Sequence, residues 1–282
     1  MSHDTAYDPS KTALFHPEEQ PALLGEDLPW TTHALCAELA RLAYWRFEAS
    51  ANVRDKLAAV LAQAGFAVPV FFVNADSGTQ CFATSKAGSV YVAFRGTQPD
   101  DPTDVLTDAL FLPVQWQGPG RVHDGFLRAY NSVAAALDDW LAGQPATSRV
   151  YLTGHSLGAA LATLAAACTN GSHLVTFGSP RVGDAAFVAA FTGRAVDRYV
   201  NCTDIVTSLP PESEYYEHVR GLHYLNRHAR LIVAASELDI LQDQTIARAE
   251  YLLEYSWKSA NVGFRSLADH APVNYVRAVL NL

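Results

Sequence analysis

The chain has 282 residues, of which 49% are hydrophobic and 17% charged, and its formal net charge is -9. That length suits a single α/β enzyme domain with a sizeable buried core. The acid excess, with no basic run to offset it, argues against nucleic acid or an anionic membrane as an electrostatically attracted partner.

No apolar run is long enough to span a bilayer, so no integral membrane segment is expected. Cys36, Cys81, Cys168 and Cys202 are widely spaced, without a Cys-x-x-Cys pair. They read as buried free thiols rather than as a zinc site or a dithiol. Met1 to Gln20 carries acids, histidines and prolines but no basic start followed by an apolar stretch. A Sec signal peptide is therefore not read, and a cytosolic location is the default expectation, with a processed form or signal-independent export as the alternative. Nothing in the sequence fixes the oligomeric state.

In chain order, residues 1–30 are polar and carry Pro9, Pro17, Pro21 and Pro29, which predicts an irregular arm packed on the body. Thr31 or Thr32 then caps a helix running through Leu35 to Trp45, and Arg54 to Gly65 forms a second helix that ends at a glycine. Phe71 to Val73, Gln80 to Thr84 and Ser89 to Phe94 read as strands, the last two joined as a hairpin through Lys86-Ala87-Gly88.

The pattern then becomes strand and helix in alternation. Helices are expected over Phe126 to Leu141, Leu157 to Cys168 and Asp184 to Phe191, and strands over Val150 to Thr153, Leu174 to Phe177 and Arg198 to Val200. Such alternation implies a parallel sheet with crossover helices. Ligands of such sheets bind beyond the carboxyl ends of the strands, where the loops after Phe94, Thr153, Phe177 and Val200 gather. From Glu212 to Asp269, helices are expected around Gln242 to Tyr255, and a last helix runs through Tyr275 and Leu280.

The most specific signal is Gly154-His155-Ser156-Leu157-Gly158, placed between the apolar run Val150-Tyr151-Leu152 and an alanine-rich helix. A serine in a tight strand-to-helix turn needs small neighbours two residues away on either side, because larger ones would strike the adjoining backbone. Ser156 is thus the candidate nucleophile. The amide of Leu157 lies at the helix N-terminus, where developing negative charge on a substrate oxygen is favoured.

A serine needs a histidine to take its proton and an acid to orient that histidine. In the order serine, acid, histidine, Asp204 follows a strand and precedes Leu209-Pro210-Pro211. Asp184, a helix-capping residue, and Asp197, at a strand start, are its competitors. Among the later histidines His218, His223, His228 and His270, the last sits in a loop just before the terminal helix, where this order places the base. His155 points away if Ser156 points inward and reads as a supporting hydrogen-bond partner. A second oxyanion donor is offered by Thr97 in Phe94-Arg95-Gly96-Thr97, although the same run also fits a plain strand-ending turn.

These pieces, taken together, resemble the class 3 (fungal-type, Rhizomucor-like) triacylglycerol lipases. The resemblance is carried by Phe94-Arg95-Gly96-Thr97, Val122-His123-Asp124-Gly125-Phe126, the Ser156 elbow, Thr176 to Asp184, Asn201 to Val206 with Leu209-Pro210, and Asp269-His270. It covers residues 31–282 and implies an α/β-hydrolase fold, with a mostly parallel central sheet, helices on both faces and a short helical lid. It also implies Ser156, Asp204 and His270 as the triad, with Thr97 and Leu157 as oxyanion donors.

The lid has its own candidate within residues 98–121. Asp104 can cap a short helix whose Val105, Leu106, Ala109, Leu110 and Leu112 make an apolar side. The same stretch also fits a surface helix packed permanently on the body. Fungal members often carry a tryptophan where this chain has Val105.

The expected organisation is an arm over 1–30 and one hydrolase domain over 31–282. The expected activity is hydrolysis of carboxylic esters, most specifically of triacylglycerols, at a transient lipid–water interface and without metal or organic cofactor. Phospholipase A1 and short-chain or feruloyl-type esterases use the same scaffold and are the alternatives, followed by a non-catalytic lipid-binding module.

Overall fold

Runs of aromatic and β-branched residues separated by tight turns build the first part of the sheet. In the computed structural model, which describes residues 7–25, 28, 30–97 and 111–282, β1 (Val70–Asn74), β2 (Thr79–Lys86) and β3 (Ser89–Phe94) form an antiparallel meander. The β2–β3 turn passes through Ala87 and Gly88 at φ 48° and 75°. Positive φ at both central residues matches the right-handed twist of the flanking strands.

A separate two-stranded ribbon follows, made of β4 (Pro113–Gln115) and β5 (Arg121–His123). The main sheet then resumes with β6 (Arg149–His155), β7 (His173–Phe177), β8 (Val196–Asn201) and β9 (Leu222–Leu225), and ends with β10 (Leu231–Ile232). Its order is β1-β2-β3-β6-β7-β8-β9-β10. The pairs from β3 to β9 are parallel, and β10 returns antiparallel to β9.

Helices cover both faces. While α1 (Lys11–Phe15) packs on Ala271 and Val273 of the C-terminal segment, α2 (Thr32–Leu42) and α3 (Ala51–Gln63) lie on one side of the sheet. Leu39, Leu42 and Leu61 there meet Val175, Phe177 and Tyr199 of the sheet and Val276 near the C-terminus in one apolar cluster. On the other side lie α4 (Asp124–Ala142), α5 (Leu157–Cys168) and α6 (Ala185–Ala189). Leu137, Leu161, Leu164 and Phe187 pack there against Val92, Leu152 and Leu174. Each such large side chain contributes about 1.5–3 kcal/mol by leaving water. The chain closes with α7 (Glu237–Glu254), α8 (Arg265–Ala268) and α9 (Pro272–Leu280).

Local chemistry explains most of the boundaries. Thr31 caps α2 by accepting from Ala34 N, Ser50 caps α3 by accepting from Val53 N, and Asp184 caps α6 by accepting from Phe187 N. These oxygens satisfy amide groups that a helix start leaves without partners. Buried small residues Ala159, Ala160, Ala162 and Ala165 let α5 lie close on the sheet.

The arm expected to be irregular contains α1 and a 3-10 turn over Pro17–Glu19. Hydrogen bonds tie it down. The Tyr7 hydroxyl donates to Asp269 Oδ1 at 2.8 Å, Lys11 N donates to Ala260 O at 2.9 Å, and Leu23 N donates to Glu38 Oε1 at 2.8 Å.

Of the expected lid, Asp104, Val105, Leu106, Ala109 and Leu110 lie outside the described residues. Leu112 is described and is 53% exposed. The last part of the 98–121 stretch holds β4 and the start of β5. All four cysteines are free thiols, with Cys36, Cys81 and Cys202 buried and Cys168 partly so. Among the described residues, no helix is long and apolar enough to cross a membrane.

Candidate active site

The end of β6 turns sharply into α5, and Ser156 occupies the turn at φ 59° and ψ -129°. A non-glycine residue at such positive φ carries backbone strain of about 1–3 kcal/mol, which the surrounding structure must hold in place. The flanking glycines are sterically required. A Cβ on Gly154 would lie 2.2 Å from Gly158 O, and one on Gly158 would lie 2.2 Å from Phe94 O.

Ser156 Oγ lies 2.9 Å from His270 Nε2. The other ring nitrogen, His270 Nδ1, is 2.9 Å from each oxygen of Asp204. The elbow after β6, the loop after β8 and the loop before α9 thus bring serine, histidine and carboxylate into one hydrogen-bonded chain. All three residues are buried.

The competing acids and histidines go elsewhere. Asp184 caps α6 and accepts from Arg121 N at 2.9 Å, while Asp197 bonds His173 and His223. His218 bonds the Thr207 carbonyl, and the backbone amide of His228 donates to Asn226 Oδ1.

Residues that the sequence did not single out as site residues hold these three groups. The Tyr275 hydroxyl donates to Asp204 Oδ2 and accepts from Asn201 N at 3.0 Å. Burial, reinforced by the neighbouring Asp204, pushes the Tyr275 phenol well above its ordinary value, so this hydroxyl keeps its proton. Val206 N donates to Asp204 Oδ1 at 2.9 Å. Next to His270, Asp269 accepts from Thr203 N at 3.0 Å and from Thr203 Oγ1 at 2.8 Å, while its own carbonyl accepts from Asn201 Nδ2. These bonds join the acid loop to the histidine loop.

His155 supports the site from beneath, in the supporting part read from its position beside Ser156. Its Nε2 is 2.7 Å from the His270 carbonyl, and its Nδ1 is 2.8 Å from the Tyr44 hydroxyl. Burial, with His270 adding to it, lowers the His155 pKa well below the usual histidine value. The ring is therefore neutral, and it places no positive charge under His270.

Thr97 and Leu157 line the same cavity as Ser156. Leu157 is the first residue of α5, so its amide lies ahead of the helix's own hydrogen-bond ladder. Thr97 follows Gly96, whose Cβ, if present, would lie 2.0 Å from the Tyr44 hydroxyl oxygen and 2.7 Å from His155 O. Only glycine lets that backbone approach the elbow. Arg95 Nη1 donates to Glu48 Oε1 at 2.8 Å and anchors the same strand end.

The cavity has a volume of about 400 Å³. Phe111, Phe126, Ala129, Val206 and Leu209 make much of its wall apolar. His123 also lines it, stacked on Phe126 with ring centroids 4.0 Å apart. Burial lowers the His123 pKa, so its ring faces the cavity uncharged. A buried serine hydroxyl bonded to a histidine, opening on an apolar chamber, has the geometry that acyl transfer from an ester with a hydrophobic acyl group requires.

The sheet order, the strained serine elbow and the placement of acid and histidine on later loops define an α/β-hydrolase. The class 3 lipase family model matches residues 91–214. A lipase of Rhizomucor miehei is 33% identical over 171 residues, covering 54% of this chain and 46% of that protein. The secreted mono- and diacylglycerol lipase 1 of Fusarium solani is 39% identical over 115 residues, covering 37% of this chain and 34% of that one. The crystal structure of a lipase from Rhizopus microsporus var. chinensis is similar with TM-score 0.57 and 28% identity, over 69% of this chain and 72% of that one. The chain thus has the α/β-hydrolase fold and is similar, over the segment that carries Ser156 and Asp204, to the class 3 lipases. It spans about half the length of the curated relatives it matches or less.

Proposed function

We propose that this protein hydrolyses carboxylic esters of acylglycerols by way of an acyl-enzyme on Ser156. The observation that carries this reading is the chain from Ser156 Oγ through His270 to Asp204, with its serine end facing the apolar cavity. In the proposed reaction Ser156 Oγ attacks the ester carbonyl while His270 Nε2 takes the hydroxyl proton. Asp204 stays ionised, holding the ring and stabilising its charged form.

The negative charge on the tetrahedral oxygen is met by the Leu157 amide and by Thr97. Collapse of the intermediate breaks the ester C–O bond, and His270 returns its proton to the departing glycerol oxygen. Water, activated by His270, then releases the fatty acid and restores Ser156.

The amphipathic sequence from Asp104 to Leu112 is the proposed cover of the cavity, turned outward at a lipid surface. An arm over 1–30 and a single hydrolase body over 31–282 remain the proposed organisation. The secreted character in the Fusarium relative's name supports action outside the cell over the cytosolic default.

Initial rates on p-nitrophenyl esters from acetyl to palmitoyl, emulsified triacylglycerol and phosphatidylcholine test the reading. Expected are hydrolysis of long-chain esters and triacylglycerol and a loss of roughly 10⁴-fold or more in Ser156→Ala. Activity confined to short soluble esters would make the protein an esterase, and preference for phosphatidylcholine a phospholipase. No Ser156-dependent hydrolysis would leave the binding-module alternative.

A further inference from the structure

At the opposite end of the parallel strands lies a side-chain cluster that ester hydrolysis does not use. His173 opens β7, Asp197 is the second residue of β8, and His223 is the second residue of β9. The register pairs Val175 with Asp197 and Tyr199 with His223. Side chains alternate along a strand, so His173, Asp197 and His223 share one face of the sheet. That face packs against α2, whose first turn supplies His33.

The four side chains converge closely. His33 Nε2 at 3.0 Å and His173 Nε2 at 2.6 Å both reach Asp197 Oδ2, and His223 Nε2 is 2.7 Å from Oδ1. All four are partly exposed, so an ion can enter from solvent.

We propose that His33, His173 and Asp197 bind a divalent transition-metal ion of the zinc class, with His223 beside the ion on the second carboxylate oxygen. One ligand atom from each of the three lies within 4.8 Å of the others. Ligands about 2.0–2.2 Å from a tetrahedral zinc stand roughly 3.3–3.6 Å apart, so small side-chain adjustments close the site. Two imidazoles and a carboxylate form the nitrogen and oxygen donor set that such ions prefer.

The rings are already aimed. The Tyr199 hydroxyl lies 2.9 Å from His33 Nδ1. When Nδ1–H donates to that oxygen, Nε2 keeps its lone pair for the ion, as outer hydrogen bonds do for metal-bound histidines. Tyr199 also stacks on His223 at 4.8 Å between centroids, and Tyr151 lies 5.4 Å from His173.

Three protein ligands leave one tetrahedral position for water or for His223. The ion links the start of α2 to the starts of β7 and β8, whereas Ser156 and Asp204 lie beyond the carboxyl ends of their strands. Its effect is therefore on stability, and the inference stands whether or not the ester hydrolysis is correct. The competing arrangement is three imidazole N–H groups donating to one carboxylate, which needs no ion.

The test is calorimetric titration of the chelator-treated full chain with Zn²⁺, joined to thermal unfolding and the absorption spectrum with Co²⁺. Expected are one saturable site per chain, a rise of about 5 °C in unfolding midpoint at hundredfold excess over Kd, and tetrahedral Co²⁺ bands. His173→Ala and Asp197→Asn should lose roughly a hundredfold in affinity and Tyr199→Phe roughly tenfold, while the exposed His16→Ala binds like wild type. Hydrolysis by the native chain should not change at one equivalent of zinc, which separates this site from ion capture by His270. Absence of saturable binding to the native chain would overturn the proposal even if a variant fails to fold. Undiminished binding in a folded His173→Ala or Asp197→Asn would overturn it as well.

Discussion

Asp204 meets its histidine squarely because other groups fix its oxygens: Val206 N on Oδ1 and the Tyr275 hydroxyl on Oδ2. A hydrogen bond to a charged group contributes about 1.5–3 kcal/mol. Removing the Tyr275 hydroxyl also leaves the buried Asn201 amide without its acceptor. Tyr275→Phe should therefore lower kcat on a soluble ester roughly 3- to 30-fold with KM little changed, and should lower the unfolding midpoint by a few degrees. Steady-state kinetics beside a melting curve check both effects, and an unchanged kcat would remove Tyr275 from the positioning of the acid. Ser156, Asp204 and His270 were legible in the sequence because the elbow pattern and chain order constrain them. Tyr275 and Tyr44 were not, because each bonds a partner 71 or 111 residues away, and only tertiary packing reveals such an approach.

At the scale of elements, the alternation of strands and helices was readable wherever apolar periodicity ran for several residues. The helix over Leu157–Cys168 has the expected bounds, since Ser156 and Gly158 mark its start. Other boundaries moved for identifiable reasons. Helix α4 begins at Asp124 rather than Phe126, because His123 Nδ1 accepts from Phe126 N, and histidine is not among the favoured capping residues. Helix α7 begins at Glu237, ahead of the expected Gln242, with a reciprocal cap between Ser236 and Asp239. That serine and aspartate at three-residue spacing were visible signals. The β4–β5 ribbon was not legible, since three-residue strands are too short to show alternation. The grouping of His33 with Asp197 was hidden for another reason: it depends on where the start of α2 meets the sheet, across 164 residues of sequence.

Across the whole molecule, buried neutral histidines weaken the fold as pH falls. Burial depresses the pKa of His155 and His218 well below the usual value and that of His123 less strongly. In the unfolded chain these groups titrate near about 6.5. As pH falls through that value the unfolded state gains protons that the folded state does not, so folding stability declines. One such proton corresponds to a slope of about 1.4 kcal/mol per pH unit, and His155 and His218, the two most strongly depressed, both contribute. The unfolding midpoint should accordingly fall between pH 7 and pH 5, and less steeply in a folded His155→Gln variant. An equal slope in that variant would show that His155 does not contribute to this loss.

Activation of Ser156 as a nucleophile is read out by covalent labelling of the native chain. A fluorophosphonate incubated with folded protein, followed by peptide mass spectrometry, should add one phosphonyl group at Ser156 and abolish hydrolysis in proportion. The His270→Ala variant should label far more slowly. A correctly folded protein that leaves Ser156 unmodified would show that His270 and Asp204 do not activate it.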